Sequence, residues 1–285
     1  MKYRFLGTSA AEGIPALFCD CPVCNAVRKG ENGYTEKDVR TRSQSMVNDD
    51  MIIDLPIDTN RHAHKNGLTL GKARYLLITH PHVDHFFPQE LANRTGGHAK
   101  DLTYEKMEIL CSEGTKKVYD QFCEFMGWGK LLATRFDIRV IKPYERVNLN
   151  GEYEVTALPA VHAPKDTCLI YLIKDLKENK TVFHCNDTAA LPCEVLDFMQ
   201  EKGVKVDFVQ MDCTLYSIAG HNRHMGYKEC VELKNELIRR GIANEGAKFY
   251  INHFTHNDYA PYEARAQETA KDGISVSYDG LAVEV

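Results

Sequence analysis

Residues 79–85 read Thr-His-Pro-His-Val-Asp-His and directly follow an apolar segment that is typical of a buried strand. Three imidazoles and one carboxylate within six positions offer the nitrogen and oxygen ligands that Zn²⁺ or Mn²⁺ binds. All four groups would crowd one ion, whereas two ions about 3.5–4 Å apart would divide them. His80 and His82 would face one ion, and Asp84 and His85 the other. Ordinary packing is a poor explanation, because buried imidazoles and carboxylates without partners are costly.

The composition is that of a folded globular protein and excludes several other classes. Of 285 residues, 44% are hydrophobic and 26% are charged, which rules out a disordered or fibrous chain. A formal net charge of −5 argues against nucleic acid as a partner, because that partner needs a basic surface. No apolar run approaches the ~18 residues of a membrane helix, and the first residues lack the apolar core of a signal peptide. We therefore expect a cytoplasmic protein without a membrane partner.

Short segments rich in β-branched and aromatic residues alternate with segments of helical periodicity, and no linker or repeat divides the chain. We therefore expect a single domain over residues 1–285. The predicted strands are 2–6, 51–54, 74–79, 107–111, 137–142, 153–161, 169–174, 181–185, 207–211, 248–251, 275–278 and 281–285. Helices are predicted over 112–126, 192–201, 227–240 and 261–271, whereas the polar stretch 30–50 is interpreted as a loop. Asp279-Gly280 predicts a hairpin between the last two strands.

A second candidate metal site lies near the start of the chain, where Cys19, Cys21 and Cys24 place three thiols within six residues. This spacing suits tetrahedral Zn²⁺, which needs one further ligand. His256 is the preferred fourth ligand, and the alternatives are a distant cysteine, His62 and His64. The other cysteines lack metal-binding spacing and are interpreted as small buried hydrophobic residues; they are Cys111, Cys123, Cys168, Cys185, Cys193, Cys213 and Cys230.

The run at residues 79–85 is the His-x-His-x-Asp-His signature of the metallo-β-lactamase superfamily, and the chain resembles that family. Family members bear further ligands at the ends of later strands: a histidine, an aspartate that bridges the metals and a C-terminal histidine. This chain has His162, Asp187 and His253 in that order. The resemblance therefore implies an αββα sandwich, in which two packed mixed sheets carry helices on the outside.

The same resemblance implies a complete set of ligands for two divalent ions, Mn²⁺ or Zn²⁺. The first ion is held by His80, His82 and His162, the second by Asp84, His85 and His253, and Asp187 bridges the two. A water between such ions loses its proton near neutral pH and becomes the nucleophile. Asp84 is also a candidate catalytic residue, because its carboxylate can hold that hydroxide through a hydrogen bond.

Further residues narrow the resemblance to the branch of the superfamily that contains the phosphodiesterase of the carbon–phosphorus lyase pathway. That branch opens with a strand and Leu-Gly-Thr, present here at residues 6–8, and continues with a Cys-x-Cys-x₂-Cys zinc loop. It ends with a His-x-x-His pair shared between the two sites, which corresponds to His253 and His256. The resemblance implies that the three cysteines and His256 bind a structural zinc. This zinc would hold residues 12–24 beside the opening of the catalytic site.

Cleavage of a phosphodiester also needs a proton donor or a metal for the leaving alcohol. The polar loop 219–226 offers His221 and His224, and we favour His224 because it immediately precedes the start of a predicted helix. Capping of that helix is the alternative role. Asp212 ends the strand predicted over 207–211 and rivals Asp187 as a ligand, but we assign Asp212 a supporting role.

These residues together predict a dinuclear metal-dependent hydrolase that cleaves a small phosphodiester, cyclic phosphates included, by attack of a metal-bridging hydroxide. A ribonuclease of the tRNA-processing type uses the same ligands but would need a basic surface. Hydrolysis of a thioester or lactone and a non-catalytic metal-binding role are also compatible with such a chain, because a fold does not determine a function. A small-molecule phosphodiester is the expected partner, and a homodimer stays open.

Overall fold

The computed structural model describes residues 1–218 and 223–285, and within these ranges the chain forms fourteen strands. In chain order they are β1 (Lys2–Gly7), β2 (Gln44–Val47), β3 (Met51–Ile53), β4 (Tyr75–Leu77), β5 (Met107–Cys111), β6 (Phe136–Val140), β7 (Arg146–Leu149), β8 (Tyr153–Pro159), β9 (Leu169–Asp175), β10 (Lys180–Cys185), β11 (Val206–Asp212), β12 (Ala243–Asn252), β13 (Ser275–Val276) and β14 (Ala282–Glu284). The central strands are buried at nearly every position, as expected of strands that are covered on both faces.

Helices of the described ranges lie mostly between these strands. They are α1 (Pro22–Lys29), α2 (Thr59–Lys65), α3 (Glu113–Met126), α4 (Gly129–Leu132), α5 (Cys193–Glu201), α6 (Tyr227–Arg239) and α7 (Tyr262–Thr269). The helices predicted over 112–126 and 227–240 are confirmed as α3 and α6: the Ser112 hydroxyl caps α3 by accepting a hydrogen bond from the Thr115 amide, and Gly241 follows α6 with a φ of +66°. No helix in the described part of the chain is long and apolar enough to cross a membrane.

The strands of the described ranges build two mixed seven-stranded sheets. The first has the order β14-β1-β2-β3-β4-β5-β6, with parallel pairing from β3 to β6. The second has the order β13-β12-β11-β10-β9-β8-β7, with parallel pairing from β10 to β13. Each sheet therefore has one parallel half and one antiparallel half.

The two sheets pack face to face through an apolar layer. Tyr3 and Phe5 of the first sheet meet Phe208 of the second, with ring centroids 4.6 Å apart for Tyr3 and Phe208. A fully buried side chain of this size contributes about 1.5–3 kcal/mol. Helices α3 and α4 cover the outer face of the first sheet, while α5 and α6 cover that of the second. The predicted αββα sandwich is confirmed.

The predicted hairpin at Asp279-Gly280 is wrong, because the two flanking strands lie in different sheets. Strand β13 pairs with β12, whereas β14 pairs with β1. The Asp279 carboxylate accepts hydrogen bonds from the Thr8 hydroxyl at 2.6 Å and the Thr41 amide at 2.7 Å. These long-range bonds hold the turn against the first sheet, so that the chain passes from one sheet to the other there.

Two further expectations from the sequence need correction. The stretch 30–50 contains β2, whose polar residues Gln44 and Ser45 are buried, and this strand was missed together with β7. Gln44 is accommodated because its side-chain amide donates to the Asp54 carbonyl at 2.9 Å. Cys193 is exposed rather than buried, because it is the first residue of α5.

The topology brings the ends of several strands to one edge of the sandwich. Parallel strands end on the same side, so residues that follow β3 and β4 lie near one another, as do those that follow β10, β11 and β12. The candidate ligands of the dinuclear site lie in the segments that follow β4, β8, β10 and β12. The fold therefore assembles the candidate site from segments that are far apart in sequence.

Candidate metal centre

The first of two groups at this edge consists of His80, His82 and His162. Nδ1 of His82 lies 3.0 Å from Nε2 of His80 and 3.2 Å from Nε2 of His162. One ring nitrogen of each histidine thus points to a common centre. His80 and His162 are buried and His82 is half-buried, so solvent can reach the group at His82.

The second group consists of Asp84, His85, Asp187 and His253, all of them buried. Nε2 of His85 lies 3.3 Å from the Asp84 carboxylate and 3.0 Å from Oδ2 of Asp187. Nε2 of His253 lies 2.8 Å from Oδ1 of Asp187. These are the residues that the resemblance assigns to the second ion.

Asp187 connects the two groups. Its Oδ2 atom lies 3.5 Å from Nε2 of His80 and 3.7 Å from Nε2 of His162 in the first group. The same carboxylate contacts His85 and His253 in the second group. A single carboxylate therefore stands between two sets of ligands, which is the arrangement expected of a residue that bridges two cations.

The second ring nitrogen of most candidate ligands is held by a neighbouring oxygen. The donor–acceptor pairs are His80 Nδ1 and Thr79 Oγ1 at 3.0 Å, His85 Nδ1 and Asp54 Oδ2 at 2.7 Å, His253 Nδ1 and Thr214 Oγ1 at 2.8 Å, and His162 Nδ1 and the Arg223 carbonyl at 3.2 Å. Such bonds fix the orientation of a ligand imidazole and leave its other nitrogen free for a metal.

Asp54 was not identified from the sequence as a site residue. It directly follows β3, and its carboxylate accepts hydrogen bonds from the Thr79 amide at 2.8 Å and from His85. The sequence feature that could have identified Asp54 is its position just after an apolar strand, which also marks Asp187. Asp54 acts through His85 and is therefore a positioning residue.

Three residues of the site adopt backbone conformations that are rare for residues with a side chain. Asp54, Asp187 and His253 have φ angles of +66°, +47° and +67°. Left-handed backbone at a residue other than glycine costs on the order of 1–3 kcal/mol and persists where the surrounding structure enforces it. In this protein the left-handed backbone turns each of these three side chains toward the site just after its strand ends.

The electrostatics of the site are dominated by carboxylates around buried imidazoles. Burial alone would lower the pKa of His85, but Asp187, Asp84 and Asp54 outweigh it and raise that pKa well above its usual value. Burial and the neighbouring His85 hold the pKa of His80 well below its usual value. Burial opposes ionisation of Asp187, but the charges of His253 and His85 lower its pKa.

The donor set fits divalent cations. Among the described residues, three buried atoms of the second group form no hydrogen bond of normal geometry, although Asp187 lies 2.8–3.0 Å from both rings: Nε2 of His85, Oδ1 of Asp187 and Nε2 of His253. Unsatisfied buried polar atoms are costly, and here they converge on one point. Imidazole nitrogens together with carboxylate oxygens suit Zn²⁺ and Mn²⁺.

His224 stands beside both groups. Its Nδ1 atom donates to Oδ2 of Asp212 at 2.8 Å, and its ring stacks on that of His253 at a centroid distance of 5.6 Å. Burial disfavours the charged ring, but Asp212 raises the pKa of His224 to about 9. Asp212 is fully buried and also accepts a hydrogen bond from Thr214 at 2.7 Å. His221, the other candidate acid, lies outside the described residues.

The four candidate zinc ligands also come together. Nδ1 of His256 lies 3.6 Å from the Cys19 sulfur and 3.5 Å from the Cys21 sulfur, and the buried Cys24 completes the group. Burial opposes the Cys21 thiolate, but the Cys24 amide and His256 lower the pKa of Cys21 to about 6. Burial raises the pKa of Cys24 to about 12.

The alternative fourth ligands do not join this group. His62 hydrogen-bonds through both ring nitrogens, to Thr41 and to Gln44, each at 2.6 Å. His64 is an exposed residue of α2. Within the described ranges, His256 is the histidine that lies against the cysteines.

Comparison with known proteins identifies the family. A family model described as a β-lactamase superfamily domain matches residues 52–242, well over half of the chain. The chain belongs to the metallo-β-lactamase superfamily. No curated protein matches it in sequence.

Solved structures of this superfamily share the fold over the whole chain. A diphosphatase of the PhnP family has 18% identity and a TM-score of 0.75, with 100% of this chain and 97% of that chain covered. Zn²⁺-bound PqqB from Methylobacterium extorquens has 15% identity and a TM-score of 0.69, with both chains fully covered. The short form of human tRNase Z has 15% identity and a TM-score of 0.68, covering 100% of this chain and 99% of that one.

The superfamily match includes most of the candidate dinuclear site but not all of the candidate metal ligands. Residues 52–242 contain Asp54, the run 79–85, His162 and Asp187. The three cysteines precede the matched range, and His253 and His256 follow it. In the folded chain, His253 nevertheless lies beside Asp84, His85 and Asp187 of the matched range, and His256 lies beside the three cysteines.

Proposed function

We propose that this member of the metallo-β-lactamase superfamily is a dinuclear metal-dependent phosphodiesterase that acts on small phosphodiesters, cyclic ones included. The observation that carries the proposal is the position of the Asp187 carboxylate, within 3.7 Å of ring nitrogens from both groups. Paired cation sites are typical of hydrolases that act on phosphoesters. The fold neighbour that is a PhnP-family diphosphatase supports a phosphoester rather than a thioester or lactone.

The residues that would hold the two ions are His80, His82 and His162 for one, Asp84, His85 and His253 for the other, and Asp187 for both. When bound, Mn²⁺ or Zn²⁺ ions supply Lewis acidity and lower the pKa of water, which provides a nucleophile near neutral pH. Cys19, Cys21, Cys24 and His256 would hold one structural Zn²⁺, since three thiols and an imidazole form a tetrahedral ligand set.

The chain's own residues would handle the protons of the reaction. Asp84 offers a carboxylate at the site, about one-tenth exposed, that can accept a hydrogen bond from the attacking water and orient it. The Asp212 carboxylate accepts a hydrogen bond from Nδ1 of His224. The Nε2 proton of that ring would then be the one donated to the departing alkoxide. His224 is one-fifth exposed and therefore accessible to a substrate.

Hydrolysis of bis(p-nitrophenyl) phosphate with added Mn²⁺ or Zn²⁺ tests the proposal. The wild type should turn over, and the Asp187→Asn variant should lose at least about 100-fold in kcat/KM because it loses the shared ligand. Asp137→Asn changes an exposed carboxylate and should match the wild type. A metal-loaded wild type that cleaves thioesters or lactones but no phosphodiester would overturn the proposal, and so would an Asp187→Asn variant with full activity.

A further inference from the structure

A cavity of about 330 Å³ lies on the outer face of the first sheet. Its floor is formed by the sheet, and its walls are α2 and the 3₁₀ turn Pro88–Arg94. The lining is largely apolar and includes Ile52, Leu76, Leu91, Met107 and Phe136. None of the candidate metal ligands lines it.

Arg94 is the cationic residue among those that line this apolar cavity. Its side chain is 8% exposed, and Nη2 donates to the Tyr104 carbonyl at 2.6 Å, while Nη1 lies 3.4 Å from the Leu70 carbonyl. Nε is buried and has no hydrogen-bond partner among the described residues. Burial and the nearby Arg135 lower the pKa of Arg94.

No carboxylate of the described chain forms an ion pair with Arg94. Glu90, the other charged residue of the lining, accepts a hydrogen bond from the exposed Asn93 at 2.8 Å. Arg135 pairs instead with Glu105 at 3.6 Å. A buried guanidinium without a counter-charge is unfavourable, and an anion that binds beside it would remove that cost.

We propose that this cavity binds a small amphipathic carboxylate, with its chain on the apolar walls and its head group on Arg94. An inorganic anion would leave the apolar walls uncovered, and a neutral apolar molecule would leave Arg94 unpaired. The volume lies at the small end of the range of ~300–1,000 Å³ typical of ligand sites, which suits a chain of about eight carbon atoms. The proposal does not depend on the proposed phosphodiesterase function.

Titration calorimetry with sodium octanoate, acetate and 1-octanol on the metal-loaded protein tests the site. Octanoate should bind at one equivalent and at least about tenfold more tightly than acetate or 1-octanol, because only octanoate uses both the walls and the charge. Arg94→Met keeps most of the side-chain stem and should weaken octanoate binding by about tenfold or more. Arg135→Met removes a neighbouring cation outside the lining and should bind octanoate within about twofold of the wild type.

A second variant keeps the proposal testable if Arg94→Met fails to fold. Ala63 of α2 lines the cavity, and Ala63→Leu would fill part of it while Arg94 stays in place. This variant should also lose about tenfold in octanoate affinity. Octanoate that binds Arg94→Met and Ala63→Leu as tightly as the wild type would overturn the proposal. Binding that disappears only in Asp187→Asn would overturn it as well, by placing the carboxylate at the metal centre.

Discussion

The proposed proton-donor role of His224 can be tested with two substrates that differ in their leaving group. His224→Gln keeps a polar side chain beside Asp212 but has no proton to donate to a leaving alkoxide. p-Nitrophenolate leaves without such help, so hydrolysis of bis(p-nitrophenyl) phosphate should change less than about threefold, whereas kcat for an alkyl-leaving cyclic phosphate should fall about 10²–10⁴-fold. Steady-state kinetics on the two substrates give this comparison.

The matched control for His224 is His64→Gln, which alters an exposed histidine of α2 and should leave both rates unchanged. Equal losses on both substrates in His224→Gln would show that the ring only supports the structure. The proton-donor role would then be wrong even if the enzyme is a phosphodiesterase.

Asp54 should affect metal affinity without touching a metal. Asp54→Asn removes the charge that holds the Nδ1 proton of His85, so the ring becomes a weaker and less ordered ligand. Loss of such a positioning carboxylate typically costs 10–100-fold in metal affinity, on the order of the loss expected here. Competition with a fluorescent chelator measures it, with Asp137→Asn as the control; an unchanged affinity would contradict the role.

Among the structural elements, we expect the segment of Cys19, Cys21 and Cys24 at the start of α1 to depend on the proposed structural zinc. Cys24→Ser should lose one equivalent of zinc and lower Tm by about 5 °C or more, since a structural zinc contributes directly to folding. The dinuclear ions should stay bound. Metal analysis and calorimetry test this, and Cys193→Ser, at an exposed cysteine, should behave as the wild type. Full zinc content in Cys24→Ser would refute the assignment.

At Gly7, the last residue of β1, the chain passes too close to its neighbours to accommodate a side chain. A Cβ atom at this position would lie 2.0 Å from the Arg42 carbonyl oxygen and 2.8 Å from the His62 ring. Gly7→Ala should therefore reduce the free energy of unfolding by about 2 kcal/mol or more in urea denaturation. Gly129→Ala, whose added Cβ has its nearest contact at 3.7 Å, should change it by less than about 0.5 kcal/mol.

Strands and helices were predictable where burial alternates with the period of the element, as in β6, α3 and α6, although the four-residue β7 was missed despite its alternating burial. Strand β2 was not predicted because its residue Gln44 is polar yet buried. Hydrogen bonds to the distant residues Asp54 and Thr59 offset the free-energy cost of burying this side chain. The turn at Asp279 had the local signal of a hairpin, but its carboxylate bonds to Thr8 and Thr41 direct the chain elsewhere. Local sequence cannot report such long-range partners.

At the scale of the whole molecule, the candidate ligands of the dinuclear site extend from His80 to His253 and meet because their strands end at one edge. The motif at residues 79–85 indicated a metal site from the sequence alone, whereas the later ligands and their grouping came from the resemblance to the superfamily. The contribution of Asp54 and the apolar cavity beside Arg94 were not predictable. Both depend on which side chains face each other across elements, a property of the packed fold.

A crystal structure of the metal-loaded protein with anomalous data tests the central claim most directly. Data collected on both sides of the zinc and manganese absorption edges should show two peaks about 3.5–4 Å apart that both contact Asp187. One of them should lie against His80, His82 and His162, and a separate zinc peak should lie among the cysteines. A single peak at the dinuclear position, or two peaks without Asp187 between them, would contradict the account.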